Sequence, residues 1–224
     1  MEVVRIMDGF MVRKEQIVTI RRSLIIALAL LAQPGFAQSP QSEYYADSTL
    51  KAIGVLDANG KSGEWTYYYP SGERSAVEHY RQGQLHGEVQ YYDLAGTLVG
   101  RENWAEGLPE DSSFYYHANG QLEKKGVFRQ GLYEGVWQFY YENGPLKRQG
   151  AYRQGLPEGR WTFYHENGNL HQTGSFTGGQ EQGEWRFYDE RGELEYVGSY
   201  RQGARVGDWY QVNRRGKRKK MKPE

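Results

Sequence analysis

A Gly-x-Trp signature returns every 24 residues, and that spacing constrains the fold more than any other feature of the chain. Gly63-Glu-Trp65, Gly135-Val-Trp137, Gly159-Arg-Trp161, Gly183-Glu-Trp185 and Gly207-Asp-Trp209 share one phase. Gly87-Glu-Val89 keeps the phase with Val for Trp, and Asp111-Ser-Ser113 keeps it by position only. A fixed period of this length marks an array of supersecondary units, none of which can bury its apolar face alone.

Other columns hold the same phase. Gly stands nine residues past each anchor, from Gly72 to Gly216. Five past the anchor is Tyr in six units: Tyr68, Tyr92, Tyr116, Tyr140, Tyr164 and Tyr188. Four past is aromatic, including Phe139, Phe163 and Phe187, and seventeen past is aromatic from Tyr80 to Tyr200. Arg-Gln-Gly links units at Arg81, Arg129, Arg153 and Arg201.

Each unit reads as a β-hairpin. Trp161 to Glu166 is a first strand, Leu170 to Phe176 a second, and Asn167-Gly168 between them predicts a two-residue type I′ turn. That turn fixes the register. It sets Trp161 opposite Gly174, Phe163 opposite Gln172, His165 opposite Leu170, Tyr164 opposite His171 and Phe176 opposite Gly159. One face is then aromatic and glycine-rich, with room for the indole over Gly174. The other is polar and carries the Tyr row. A lone hairpin is marginal in water, so neighbours must stack. The predicted fold is all-β, a linear array of about seven antiparallel β-hairpin repeats forming an elongated rod or a curved sheet. Whether the aromatic row is enclosed or left as a groove stays open.

The ends differ from the middle. Arg21 and Arg22 precede the apolar run Leu24 to Ala32, then Gly35 and Ala37 stand before Gln38, the order of a secretory signal. Residues 1–37 are therefore expected to be a signal peptide cut between Ala37 and Gln38, giving a periplasmic or secreted protein. A short linker, 38–43, leads to the repeat domain, 44–212. Residues 213–224 form a basic tail with Arg214, Arg215, Lys217, Arg218, Lys219, Lys220 and Lys222. The zero net charge hides this split: residues 38–213 hold 16 basic and 24 acidic residues, about −8, while 214–224 hold 7 basic and one acidic, about +6. An acidic body argues against a nucleic-acid groove. The chain has no Cys, which excludes disulfides and thiolate sites.

The pattern of Gly159-Arg-Trp-Thr-Phe-Tyr-His-Glu-Asn-Gly-Asn-Leu170 resembles MORN repeats, and most closely the bacterial variant of the YwqK antitoxin type. The resemblance covers about residues 44–212. It implies a protein partner, such as a toxin that the repeat protein neutralises; with an export signal, that becomes immunity within the envelope.

Catalytic and metal chemistry is not expected. His117 and His165 share a column two units apart, roughly 19 Å at about 4.8 Å per strand. Glu110, Glu134, Glu158, Glu142 and Glu166 repeat with the units, which reads as architecture. No cofactor motif is present. Trp65, Trp137, Trp161, Trp185 and Trp209 are read as repeat core with Phe139, Phe163 and Phe187, or alternatively as a stacking platform for glycans. The six-residue Tyr row is the candidate protein-binding surface. The tail is a candidate contact for anionic lipid or another acidic envelope polymer. The expected function is a non-catalytic scaffold for protein–protein interaction in the cell envelope, with glycan or lipid binding as the alternative.

Overall fold

The computed structural model describes residues 40–222. Residues 1–37, where the signal peptide is expected, lie outside them. Gln38–Glu224 is one compact unit. The described residues form a single 18-stranded sheet. Every pairing is antiparallel and local, between strands next in sequence or, past the short strands Gln84–Leu85 and Leu108–Pro109, next but one, from Pro40–Tyr44 to Arg218–Lys220. The hairpin array expected from the 24-residue period is this meander.

The turns are exchanged relative to expectation. At Asn167-Gly168 the loop has three residues, Glu166 to Gly168. The His165 N–H donates to the Asn169 carbonyl (2.8 Å) and the Gly168 N–H to the His165 carbonyl (2.9 Å). Only Gly168 has a positive φ, 85°, the geometry of a type I turn closed by a left-handed glycine. The extra loop residue would shift the whole register by one. A β-bulge at His171 restores it: Tyr164 pairs with Leu170 and Phe163 with Gln172. Two irregularities thus cancel, and Trp161↔Gly174 and Gly159↔Phe176 hold as expected. The two pairs nearest the turn do not. His165 faces Asn169 rather than Leu170, and Tyr164 faces Leu170 rather than His171. The bulge also brings the His165 and His171 rings to 4.3 Å, so the two are not on opposite faces.

Two-residue turns with both φ positive occur instead at the linkers, as at Gln154 (51°) and Gly155 (79°). The Gln154 N–H is held by the Glu134 carboxylate (3.0 Å), and the Gly155 N–H donates to the Tyr133 carbonyl (2.9 Å). Glu110 and Glu158 make the same contact to the turns at Gln130 and Gly178. Glu110, Glu134 and Glu158 therefore tie three successive turns to the unit before each, and Gln182 does the same for the turn at Gln202.

Both expected boundaries move outward. Pro40–Tyr44 is a strand within the stretch expected to be linker. Arg218–Lys220, expected in a tail, pairs with Ala204–Val212. The reason is phase. Asn213 accepts hydrogen bonds from the Arg215 and Lys217 N–H groups (both 3.0 Å), and Gly216 has φ 74°, so the hairpin turn recurs despite the charge. Lys220 then pairs with Asp208 (2.6 Å) and Arg214 with Glu193 (3.4 Å).

The core is a ladder between hairpins. Expectation places the indole of Trp161 over Gly174, its own cross-strand partner. It lies instead over Gly150 of the preceding hairpin, while Trp185 covers Gly174. The strand bends at Gly159 (φ 69°): Glu158 pairs with Ala151 and Trp161 with Gly150, so two residues are spent on the bend. The bend carries the indole backwards, where its N–H donates to the Ala151 carbonyl (3.1 Å). Trp65 and Trp137 do the same to Val55 and Val127. Phe176 and Tyr200 each stand edge-on between two successive indoles at 5.1–5.9 Å, and Phe128 and Tyr152 stand edge-on to Trp137 and Trp161 at 5.2 and 5.0 Å.

Candidate functional site

The five repeat-signature tryptophans are between 0% and 8% exposed. Phe139, Phe163 and Phe187 are half-buried and pack against that core. The aromatic face is therefore consumed by cohesion between units, and its indoles offer no open ring to a flat ligand. The other face carries Tyr68, Tyr92, Tyr116, Tyr140, Tyr164 and Tyr188, all half-buried. The backbone carbonyls at five of these positions accept from the adjacent column of the preceding unit. Tyr45 reaches Tyr68 (2.7 Å), Tyr69 reaches Tyr92 (2.7 Å), Tyr141 reaches Tyr164 (2.7 Å) and His165 reaches Tyr188 (2.9 Å). His117 contacts the Tyr140 carbonyl likewise at 3.2 Å. The repeated His thus serve as stitches.

One stretch breaks the ladder. Running across the sheet, the Trp row reads Trp65, Glu78, Val89, Glu102, Ser113, Gly126, Trp137, then alternates Gly and Trp. Where Trp is lost, the glycine eleven residues before it is lost too: Glu78 precedes Val89, and Glu102 precedes Ser113. The carboxylate takes the space an indole would fill. Glu102 is 8% exposed and accepts from the Tyr91 hydroxyl (3.1 Å), the Trp104 indole N–H (2.8 Å) and, very closely, the Tyr115 hydroxyl. Gly100 stands between Tyr91 and Tyr115 in the adjacent row and lets both rings lean inward. Burial, and then the Glu102 charge, push both phenols well above their usual range. They stay protonated and serve as donors. Glu78 is met by the Tyr80 hydroxyl (2.5 Å), which also meets Tyr67, and Lys61 donates to Tyr67 (2.7 Å).

The backbone adapts as well. The carbonyls of His79 and Asn103, which an indole N–H would otherwise take, accept from the backbone N–H groups of His86 and Glu110 (both 2.8 Å). The side chains of His79 and Asn103 reach the Glu88 and Ser112 carbonyls (2.8 and 2.9 Å). Asp111 keeps the anchor's left-handed φ, 68°, without being glycine. Each of these two units has its first strand interrupted, at His86 and at Glu110.

The same units differ on the Tyr face. The row that reads Gln138, Gln149, Thr162, Thr173 farther along reads Arg101, Phe114, Lys125 here, as direct cross-strand neighbours. Arg101 lies 5.3 Å from the Phe114 ring centre, and the Arg74 guanidinium lies 4.4 Å over Tyr92. At the far end of the sheet, all seven basic residues of the C-terminal segment are exposed. Among the described residues, no group of three His, Cys, Asp or Glu is placed to hold a metal.

The family described as MORN repeat variant matches residues 61–82, 112–130, 133–154, 157–177 and 181–202. The chain belongs to that family. The interval 83–111, between the first two matched segments, contains Val89 and Glu102. No curated protein matches the chain. Among solved structures, similarity is found to a chain of the GtfA/B complex bound to UDP and GlcNAc, 13% identical over 65% of this chain and 25% of that one, with a TM-score of 0.21. A chain of TcdB2-TccC3-Cdc42 is 12% identical over 77% of this chain and 13% of its own, at 0.19. A Bacteroides fragilis protein of unknown function is 10% identical over 83% and 90%, at 0.11. The chain spans a quarter or less of the first two, and likenesses at these scores carry nothing about activity.

Along the sequence Val89 keeps the phase with Val for Trp and Ser113 keeps it by position only, and neither reads as a singular departure from the repeat. The signal was present as a paired change at an offset of eleven residues. It becomes visible only when each Trp is compared with the preceding hairpin.

Proposed function

We propose that this MORN-repeat chain is a non-catalytic scaffold that binds a protein partner in the cell envelope through its Tyr face. One observation supports this above others. The aromatic face is spent on joining units, so the recurring Tyr row is the large amphipathic surface left over, and Tyr is a residue type enriched at protein interfaces. An immunity-like role, with an envelope toxin as partner, uses the same face. The exposed basic segment Arg214–Lys222 adds an attraction for anionic surfaces near which such a scaffold would work.

The test is retention of envelope proteins on immobilised Gln38–Glu224, compared with a variant carrying Tyr140→Ser, Tyr164→Ser and Tyr188→Ser. A stoichiometric protein retained by the wild type and lost by the variant, at an unchanged unfolding midpoint, is the expected result. Retention of no protein, or equal retention by both, overturns the reading.

A further inference from the structure

In the Tyr-face row, Phe114 stands between Arg101 and Lys125 as their direct cross-strand neighbour. Cross-strand pairs at such spacing touch. Its positional equivalents Thr66, Gln90, Gln138, Thr162 and Arg186 are polar, and only Tyr210 at the end of the array is aromatic. A half-buried Phe flanked by two cations is the residue mix of an interface anchor. Arg74 extends the group, and it replaces the Leu found eleven past the anchor in the neighbouring units, as at Leu98 and Leu122.

Arg74 and Arg101 rest on rings, and none of the three cations has a close acidic partner. The Arg74 guanidinium rests 4.4 Å from the centre of the Tyr92 ring and forms no ion pair or hydrogen bond among the described residues. Lys125 forms none either. Arg101 has a single long contact to Glu88 (3.6 Å). A guanidinium resting on an aromatic ring and unpaired with any acid keeps its N–H groups for the fork that matches a carboxylate. The surrounding body, about −8 over residues 38–213, repels dense polyanions such as nucleic acid or an anionic bilayer. It tolerates a short segment with a few carboxylates.

Resting on the protein-scaffold reading, the geometry points to Arg74, Tyr92, Arg101, Phe114 and Lys125 as the anchor of the partner, and to a protein segment bearing carboxylates beside an aromatic as its occupant. These are the units whose core also departs from the repeat. The Glu78 and Glu102 clusters replace the indole staple directly beneath this surface.

The test is a titration of isotope-labelled Gln38–Glu224 with a capped Gly-Glu-Phe-Asp-Glu-Gly peptide at low salt, followed by backbone and Arg side-chain resonances. Shifts are expected to concentrate at Arg74, Tyr92, Arg101, Phe114 and Lys125. R74Q/R101Q/K125Q is expected to weaken binding by about tenfold or more, since charge-assisted contacts are the stronger ones. R160Q/R186Q, cations elsewhere on the same face, is expected to leave it within about twofold. No shifts at about 2 mM peptide, which would report a Kd near 1 mM, overturn the inference. So do shifts confined to Arg214–Lys222, equal weakening in both variants, or the same shifts from inorganic phosphate or from anionic vesicles at matched charge. Envelope-partner retention that survives R74Q/R101Q/K125Q but is lost in the triple Tyr variant overturns this inference while the scaffold reading stands.

Discussion

The indole of Trp161 lies flat against the α-carbon of Gly150, so close that a β-carbon there would stand inside the ring. The same relation joins Gly54 to Trp65, Gly126 to Trp137, Gly174 to Trp185 and Gly198 to Trp209. Each joint links one hairpin to the next. Cohesion of the array therefore runs through a backbone position that tolerates no side chain. Gly150→Ala is expected to cost about 3 kcal/mol, the upper range for overpacking a dense core. Gly159→Ala meets no neighbour and pays only for its left-handed φ of 69°, about 1–2 kcal/mol. Urea unfolding of the two variants orders them, and equal losses would contradict the joint.

Glu102 and Ser113 are the same joint in another form. Glu102→Gly alone strands the Tyr91 and Tyr115 hydroxyls and the Trp104 N–H; Ser113→Trp alone drives an indole into a buried carboxylate. Each is expected to destabilise by about 2 kcal/mol or more. Together they recreate the Gly–Trp pair, so the double variant should be more stable than the sum of the singles by about 1–3 kcal/mol, the range for residues in contact. Additivity in a double-mutant cycle would show that the two positions do not share a space.

Gln154 sits at φ 51°, a region that costs a non-glycine residue about 1–2 kcal/mol. Gln154→Gly keeps the N–H that Glu134 holds and removes the strain. Its unfolding midpoint should rise. Glu134→Ala, which hands that exposed N–H to water, should lower stability by about 0.5–1 kcal/mol, the net worth of one hydrogen bond.

His171 is partly buried against His165, and burial first, then the neighbouring ring, lower its pKa. Its folded pKa lies below the unfolded value of 6.5, so the unfolded chain takes up the proton first. The contribution is intact above that unfolded value and is lost as pH falls below it towards the folded pKa. Stability should decline on acidification through that window, and His171→Gln should flatten this part of the profile. An unchanged profile in the variant would assign the decline to other groups.

Much of the fold was legible in the sequence because the period is exact. Trp161↔Gly174 and Phe163↔Gln172 were readable even though the turn beside them was not, since the loop residue and the His171 bulge offset one another. Asn-Gly suggested the type I′ turn on propensity. The fold places that geometry at Gln154-Gly155, where Glu134 and the Tyr133 carbonyl hold it. Partners across hairpins were illegible, because the bend at Gly159 carries each indole backwards by a distance no strand pattern encodes. The Glu78 and Glu102 clusters were missed for that reason, as each compensates a Trp lost from the following unit.

The division of labour between faces is tested most directly by two variants read in the same two assays, unfolding and retention of the envelope partner. The triple variant Tyr140→Ser, Tyr164→Ser and Tyr188→Ser should lose the partner and keep its unfolding midpoint. Trp161→Ala should keep the partner at temperatures where it remains folded and lose about 3–5 kcal/mol of stability. Loss of stability in the Tyr variant with the partner retained, or loss of the partner by folded Trp161→Ala, would contradict the account.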